Sequence, residues 1–167
     1  NLGNAYREQG KPIEALKNYK KLNYYEPNNS IAKHMIASIT GETTNTAPKE
    51  YVERLFDDFA TGFEKLLVDE LGYEMPKTVM NIVRNQLGKN KLGAVLDLGC
   101  GTGLLGVEIR KYCEKLEGVD LSASMLQEAR QKNIYDRTDQ VDIIEYLASE
   151  ILDFDYYFSL DVFIYVG

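Results

Sequence analysis

The stretch that decides the fold is Val95-Leu96-Asp97-Leu98-Gly99-Cys100-Gly101-Thr102-Gly103. Its opening residues are apolar apart from Asp97, which is typical of a buried strand in a parallel sheet. Glycine then takes every second position, which indicates a loop where a ligand can touch the backbone because no side chain blocks it. The sequence from Leu104 onward favours a helix, so the loop lies at a helix N-terminus. Together these features predict a nucleotide-type pocket at the carboxyl end of a strand.

Two cofactors compete for this loop. Residues 101–106 match the dinucleotide pattern G-x-G-x-x-G, and Asp120 follows at about the distance expected of a ribose-binding carboxylate. A pyrophosphate is negative, however, so a nearby Asp97 would repel it. S-adenosylmethionine has no phosphate and carries an ammonium and a sulfonium, and Asp97 suits these cations either directly or through water.

Four motifs in order resemble those of the class I S-adenosylmethionine-dependent methyltransferases. Residues 97–103 have the form D-x-G-x-G-x-G, and residues 118–126 have the form G-V-D-x-S-x-x-M-L. Val141-Asp142 resembles the acid of the third strand, and residues 155–162 resemble the fourth strand with its terminal acid. The resemblance implies an α/β fold with a Rossmann-like sheet, of which this chain supplies strands in the order 3-2-1-4.

The resemblance also implies roles for individual side chains. Asp120 would accept hydrogen bonds from both ribose hydroxyls, although it or Ser122 could instead cap the following helix. Leu121 and Met125 would enclose the adenine, or pack as ordinary helix residues. The residues expected at the cofactor are Asp97, Gly99, Cys100, Gly101, Gly103, Asp120, Leu121, Met125, Asp142 and Leu160.

Two further acids have alternatives of their own. Asp142 would accept from the adenine amino group, or cap a helix over residues 143–147. Asp161 is the one candidate catalytic residue, and would orient or deprotonate an acceptor or merely shape the pocket. Because the sulfonium already activates the methyl group, alignment of donor and acceptor does most of the work, with effective molarities of ~10⁵ or more.

The expected function is therefore methyl transfer from S-adenosylmethionine to a small molecule, a carrier-bound acyl group or a protein. The first alternative is a scaffold that keeps the cofactor-binding fold without catalysis. The second is a nicotinamide-dependent oxidoreductase, in which the motif around Asp161 has no place.

Residues 1–41 have a different character. Gly3 and Ala15 are small where two antiparallel helices would touch, and Tyr6 and Tyr19 would fill the space between the helices. A plain helical hairpin is the alternative to a repeat, and a repeat would favour a peptide or protein partner by fold analogy. Seven positions fall at the spacing of one tetratricopeptide repeat, namely Leu2, Gly3, Tyr6, Gly10, Ala15, Tyr19 and Pro27.

A polar linker at residues 42–48 separates this segment from a methyltransferase domain at 49–167, with lid helices at 49–88 and a core at 93–167. The apolar spacing predicts one helix from Val52 to Leu71 and another from Pro76 to Gly88. The pattern over residues 51–63 resembles bacterial methyltransferases fused to tetratricopeptide repeats. Its aromatic residues would cover the cofactor or form core, and they are Tyr51, Phe56 and Phe59.

Composition limits the remaining possibilities. The net charge is −7 and the basic residues are scattered, which argues against nucleic acid as a partner. No run approaches the roughly 20 apolar residues that a membrane span needs. Two cysteines and one histidine suggest neither a disulfide framework nor a metal site, and a cytoplasmic setting fits.

The parent protein is expected to be longer at both ends. One repeat cannot bury its own apolar face, and the sheet of the resembled family has seven strands in the order 3-2-1-4-5-7-6. The 167 residues alone are therefore expected to bind the cofactor poorly and to be inactive.

Overall fold

A computed structural model describes residues 2–44, 46–88, 91–149 and 152–166. The chain forms two compact units, one that contains the residues up to Tyr51 together with Tyr165 and Val166, and one that runs from Val52 to Ile164. The boundary falls shortly after the linker that the sequence predicts, of which Asn45 lies outside the described residues. The described α-helices are α1 (Leu2–Glu8), α2 (Pro12–Tyr25), α3 (Ser30–Thr40), α4 (Lys49–Phe59), α5 (Met75–Leu87), α6 (Leu104–Ile109), α7 (Ala123–Gln131) and α8 (Ile143–Ser149).

The first unit is a helical hairpin followed by a third helix. A side-chain carbon added at Gly3 of α1 would lie 2.7 Å from the ring of Tyr19 in α2. The Tyr19 hydroxyl donates to Asn4 Oδ1 at 2.7 Å, and Ala15 is fully buried. Helix α3 begins where Asn29 Oδ1 accepts the Ala32 N–H. The expected close approach of the first two helices is therefore confirmed.

The second unit is built on a parallel sheet. Its four described strands follow the order β3-β2-β1-β4, which confirms the order expected for this part of the chain. Asp97 pairs with Gly118 on one side and with Phe158 on the other, so three strands end at the same edge. The strands are β1 (Ala94–Leu98), β2 (Lys115–Asp120), β3 (Arg137–Gln140) and β4 (Tyr156–Phe158).

Helices cover the two faces of the sheet. One apolar cluster joins Val95 of β1 to residues of α5, α6 and β2, whereas another joins Leu96 and Leu98 to α8. Successive side chains of a strand face opposite sides. Asp97 therefore shares the face of Val95, which lies against α6.

The segment before β1 departs from the sequence prediction at one point. A single helix from Val52 to Leu71 is wrong, because α4 ends at Phe59 and a π-helical turn occupies Lys65–Glu70. Gly62 lies between them with φ +88°, a left-handed conformation that interrupts helical hydrogen bonding. The next helix begins with Pro76 in its first turn and ends before Gly88, as expected.

Candidate functional site

The glycine loop after β1 has one packed side and one open side. The N–H groups of Gly99 and Cys100 both donate to the Val119 carbonyl, at 2.8 and 3.0 Å, which fastens the loop to β2. A carbon added at Gly99 would lie 2.4 Å from Val162, so Gly99 is required for packing. A carbon added at Gly101 would meet nothing within 4 Å. Gly101 is therefore where a ligand can approach the backbone.

Asp120 ends β2 and faces this open side. Its Oδ2 accepts the Gly101 N–H at 2.8 Å, and its Oδ1 accepts the Ser122 N–H at 2.9 Å. The cap of α7 is Ser122, whose Oγ accepts the Met125 N–H. Burial raises the pKa of Asp120, and the backbone donors oppose that rise. A carboxylate has about four acceptor positions, so Asp120 keeps capacity for ligand hydroxyls.

Asp97 is the most deeply buried acid of the site, with 2% of its surface exposed. Its Oδ2 accepts a hydrogen bond from the Tyr135 hydroxyl at 2.7 Å. Burial raises the pKa of Asp97 to about 7, although the Tyr135 hydrogen bond lowers it and the Asp120 charge raises it further. Sequence reasoning missed Tyr135, which lies 38 residues from its partner.

The two carboxylates have no described counter-charge. Across residues 2–44, 46–88, 91–149 and 152–166, no lysine or arginine forms an ion pair with Asp97 or Asp120. Burial raises the pKa of the Cys100 thiol in the loop, the charges of Asp97 and Asp120 raise it further, and the Arg130 charge opposes the rise. An uncompensated negative site favours a cationic ligand over a pyrophosphate.

Thr102 lies inside the glycine loop, and its hydroxyl is buried. Its Oγ1 has no hydrogen-bond partner in the described part of the chain. An unpaired buried hydroxyl costs about 1–3 kcal/mol, so a ligand or a water molecule is expected to pair with it. A buried threonine hydroxyl in the glycine loop can form a hydrogen bond with a polar ligand that reaches into the loop.

Helix α4 contacts the residues that follow β2, and the segment after α4 contacts the residue that follows α7. Asp57 Oδ1 accepts the Ser122 hydroxyl at 2.6 Å and the Ser124 N–H at 3.1 Å. These hydrogen bonds lower the pKa of Asp57. Lys132 forms an ion pair with Glu64 in the segment after α4. Sequence reasoning missed Asp57, because an acid on the polar face of an amphipathic helix resembles an ordinary solvated charge.

The aromatic residues expected as a cofactor cover lie in different places. Tyr51 packs beside the buried Ala15 and Met35 of the first unit, which favours the core interpretation for that residue. Phe56 contacts Phe63 edge-on with ring centroids 6.4 Å apart.

The three residues expected at the adenine lie in different surroundings. Met125 is 1% exposed and packs as a core residue, which corresponds to the alternative kept open for it. Leu121 is partly exposed, and its carbonyl accepts from Gln140 Nε2 at 3.2 Å. Asp142 Oδ1 accepts the N–H groups of Ile144 and Glu145, so this oxygen caps α8.

The carboxyl end of β4 contributes Asp161 and an unexpected partner. Asp161 has φ +57°, an uncommon conformation for a residue with a side chain. The Tyr73 hydroxyl donates to Asp161 Oδ2 at 2.6 Å, across 88 residues of sequence. Burial and the Asp161 charge both raise the pKa of Tyr73, so its phenol remains protonated. Leu160 packs against the cluster around Val95.

The described residues contain no group of three potential metal ligands. Among their helices, none has both the length and the apolar content that crossing a membrane demands.

The chain resembles known proteins in its sequence and in its fold. Residues 95–167 match the sequence model of a family described as "Methyltransferase domain". This part of the chain is therefore similar to methyltransferase domains. A protein of Geobacillus sp. (strain WCH70) that is provisionally named a methyltransferase is 35% identical over 77 residues, which cover 46% of this chain and 31% of the relative.

Solved structures share the fold at low sequence identity. DhpI, whose structure is described as a complex with SAM and HEP, is similar with a TM-score of 0.55 and 20% identity, covering 70% of this chain and 52% of that one. The magnesium protoporphyrin IX methyltransferase ChlM from Synechocystis PCC 6803, with bound SAH, gives a TM-score of 0.51 and 23% identity over 68% and 58% of the two chains. The Rossmann-like sheet is therefore shared with methyltransferases, and this chain spans little more than half of either structure.

Proposed function

We propose that this protein transfers a methyl group from S-adenosylmethionine to a nucleophilic acceptor. The observation that carries the proposal is the pair of buried carboxylates, Asp97 and Asp120, without a described counter-charge beside the open backbone of Gly101. The match of residues 95–167 to a methyltransferase family supports it, as do the SAM and SAH complexes of proteins with the same fold. A dinucleotide fits less well, because its phosphates would lie near the buried carboxylate of Asp97.

The residues of the loop fit this cofactor. Asp120 would accept hydrogen bonds from the ribose hydroxyls, and Asp97 would supply the negative potential that favours the cationic end. Thr102 would donate its unpaired hydroxyl, and Gly101 would allow close approach to the backbone. When bound, S-adenosylmethionine supplies a methyl group already activated by its positive sulfur, so the protein has to bind, orient and exclude water.

Asp161 is the proposed catalytic residue for the acceptor. Its Oδ2 is held by Tyr73, and no hydrogen bond to its Oδ1 is found within the described residues. We propose that Oδ1 orients an acceptor hydroxyl or amine, or takes its proton. Tyr73 acts only as a donor, because its phenol stays protonated.

The helical hairpin of the first unit is proposed to be a tetratricopeptide-like repeat that binds a peptide or protein partner. The contact between Gly3 and Tyr19 and the burial of Ala15 support this packing. The low cysteine content supports a cytoplasmic setting.

Calorimetric titration of S-adenosylhomocysteine into the full-length protein tests the proposal. The Asp120→Ala variant should lose about 1.5–3 kcal/mol of binding free energy, the size expected of hydrogen bonds to a charged group. Asp69→Ala, which removes an exposed acid from the π-helical turn, is the matched control and should bind as the unaltered protein does. Equal affinities of the two variants would contradict the role of Asp120. Absence of binding by the folded, unaltered protein would favour the scaffold alternative.

A further inference from the structure

The ring of Tyr135 lies in a space that three glycines leave open. A carbon added at Gly106 of α6 would lie 2.5 Å from the Tyr135 hydroxyl oxygen, and one added at Gly118 of β2 would lie 3.0 Å from its ring. A carbon added at Gly103 in the loop would lie 3.1 Å from the Tyr135 ring. Gly106 is the third glycine of the apparent dinucleotide pattern, and in this chain its missing side chain leaves room for the Tyr135 hydroxyl. Tyr135 therefore contacts the loop, β2 and α6 at once.

The hydroxyl of Tyr135 is the hydrogen-bond donor that the described residues offer to Asp97. Asp97 is otherwise surrounded by groups that disfavour its charge, since burial and the nearby Asp120 both raise its pKa. Among the described residues, the ionisable groups whose pKa shifts involve the Asp97 charge are Tyr135 between α7 and β3, Cys100 in the loop, Asp120 on β2, Cys113 after α6 and Tyr73 before α5. Arg130 of α7 is a cation whose charge acts on the neighbouring Cys100. Tyr135 is thus the contact that favours the ionised Asp97.

We propose that Tyr135 is a positioning residue for S-adenosylmethionine, whose hydroxyl fixes the Asp97 carboxylate while its ring supports the glycine loop at Gly103. The Asp97 carboxylate and the glycine loop then have their binding positions before the cofactor arrives, so binding costs less conformational entropy. The inference rests on the proposed function, because it assumes that the loop binds this cofactor. It adds a residue that makes no contact of its own with the cofactor.

The ionisation of Asp97 gives this role a distinctive readout. The pKa of Asp97 is about 7, so the acid is ionised above that pH and neutral below it. An ionised Asp97 attracts the ammonium of the cofactor, and a neutral one does not. Affinity should therefore fall as the pH is lowered through about 7. Removal of the Tyr135 hydroxyl takes away a contact that lowers the pKa, so the fall should move to higher pH.

The experiment is calorimetric titration of S-adenosylhomocysteine into the full-length protein and its variants between about pH 5.5 and pH 8.5. The unaltered protein should lose about tenfold in affinity from the upper to the lower limit. Tyr135→Phe should have its midpoint moved upward by about one pH unit, and should therefore bind about threefold more weakly near pH 7.5. Asp97→Asn should show no midpoint in this range beyond any titration of the ligand itself. Tyr112→Phe, which removes a hydroxyl from a half-buried tyrosine beyond α6, should match the unaltered protein.

Thermal unfolding of each variant establishes that it is folded. An unchanged midpoint in folded Tyr135→Phe would overturn the inference, whether the affinity is equal or uniformly lower, because a purely structural tyrosine does not move a titration. If Tyr135→Phe does not fold, Gly106→Ala decides, because its added carbon would lie 2.5 Å from the Tyr135 hydroxyl oxygen and displace it. A midpoint moved to higher pH supports the inference, and an unchanged midpoint overturns it. Failure of the unaltered protein to bind at any pH would instead contradict the proposed function.

Discussion

The carboxyl ends of β1 and β2 carry the same chemical group but hold it by different means. Asp120, at the end of β2, accepts hydrogen bonds from the backbone N–H groups of Gly101 and Ser122. Asp97, near the end of β1, accepts one from the side chain of Tyr135. The backbone donors belong to the two sequence motifs at the ends of β1 and β2, whereas the side-chain donor depends on how a segment outside these motifs packs. The first kind of site can be recognised in a sequence, and the second requires the fold.

The largest expected effect concerns the loop that joins these two sites. Gly99→Ala would place a carbon 2.4 Å from Val162 and force a side chain onto φ +72°. Overpacking costs about 1–3 kcal/mol and the left-handed conformation about 1–2 kcal/mol, so the free energy of unfolding should fall by about 3 kcal/mol. Urea denaturation measures this loss.

Gly101→Ala is the matched control for that loss. Its backbone has φ +54°, but the added carbon would meet nothing within 4 Å. Only the conformational cost of about 1–2 kcal/mol should appear. Equal losses at Gly99 and Gly101 would contradict the division of the loop into a packed side and an open side.

The next effect separates the two acids by their pH dependence. Burial raises the pKa of Asp97 above its unfolded value, so its folded-state ionisation costs stability as the pH rises from about 4 to above 7. Without ligand, the unaltered protein should lose stability over this range. Asp97→Asn should remove on the order of 2 kcal/mol of that loss, measured as the difference in urea stability between about pH 5 and pH 8.

Asp153→Asn, which neutralises an exposed acid, is the control and should leave the pH dependence of the free energy of unfolding unchanged. If Asp97→Asn and the unaltered protein showed the same pH dependence of the free energy of unfolding, the ionisation of Asp97 would not destabilise the fold.

The smallest effect concerns the contact of α4 with the helix that follows β2. Asp57→Ala removes the carboxylate that accepts from Ser122 and Ser124, and should lower the free energy of unfolding by about 1 kcal/mol. Because hydrogen bonding lowers the pKa of Asp57, this contribution is present above its unfolded pKa and is lost as the pH falls below about 4. The direction is opposite to that of Asp97.

The exposed neighbour Asp58 provides the control, because Asp58→Ala changes the net charge of the same helix by the same amount. Thermal unfolding at neutral pH compares the two variants. Equal melting temperatures would indicate that Asp57 does not fasten α4 in solution.

The sequence was informative wherever local pattern decides structure. The strands around Asp97 and Asp120, their order in the sheet and the helix between Pro76 and Gly88 could all be predicted, because periodicity and turn chemistry act over a few residues. The break at Gly62 was missed, since apolar spacing continues across it and only backbone conformation reveals the interruption.

Long-range partners could not be predicted in the same way. Tyr135, Asp57 and Tyr73 reach their partners across 38, 65 and 88 residues. No local spacing encodes such pairs, and each residue taken alone resembles ordinary core or surface. The glycines at 106 and 118 were the one available signal for Tyr135, because their missing side chains mark where another group approaches closely.

The measurement that tests the central claim most directly is calorimetric titration of S-adenosylhomocysteine and NADH, side by side, into the full-length protein at about pH 8, where Asp97 is ionised. The carboxylates beside the glycine loop predict saturable, one-to-one binding of S-adenosylhomocysteine and no binding of NADH. Binding of NADH with no heat from S-adenosylhomocysteine would contradict the account, because a negative site without a counter-charge would then be accepting a pyrophosphate.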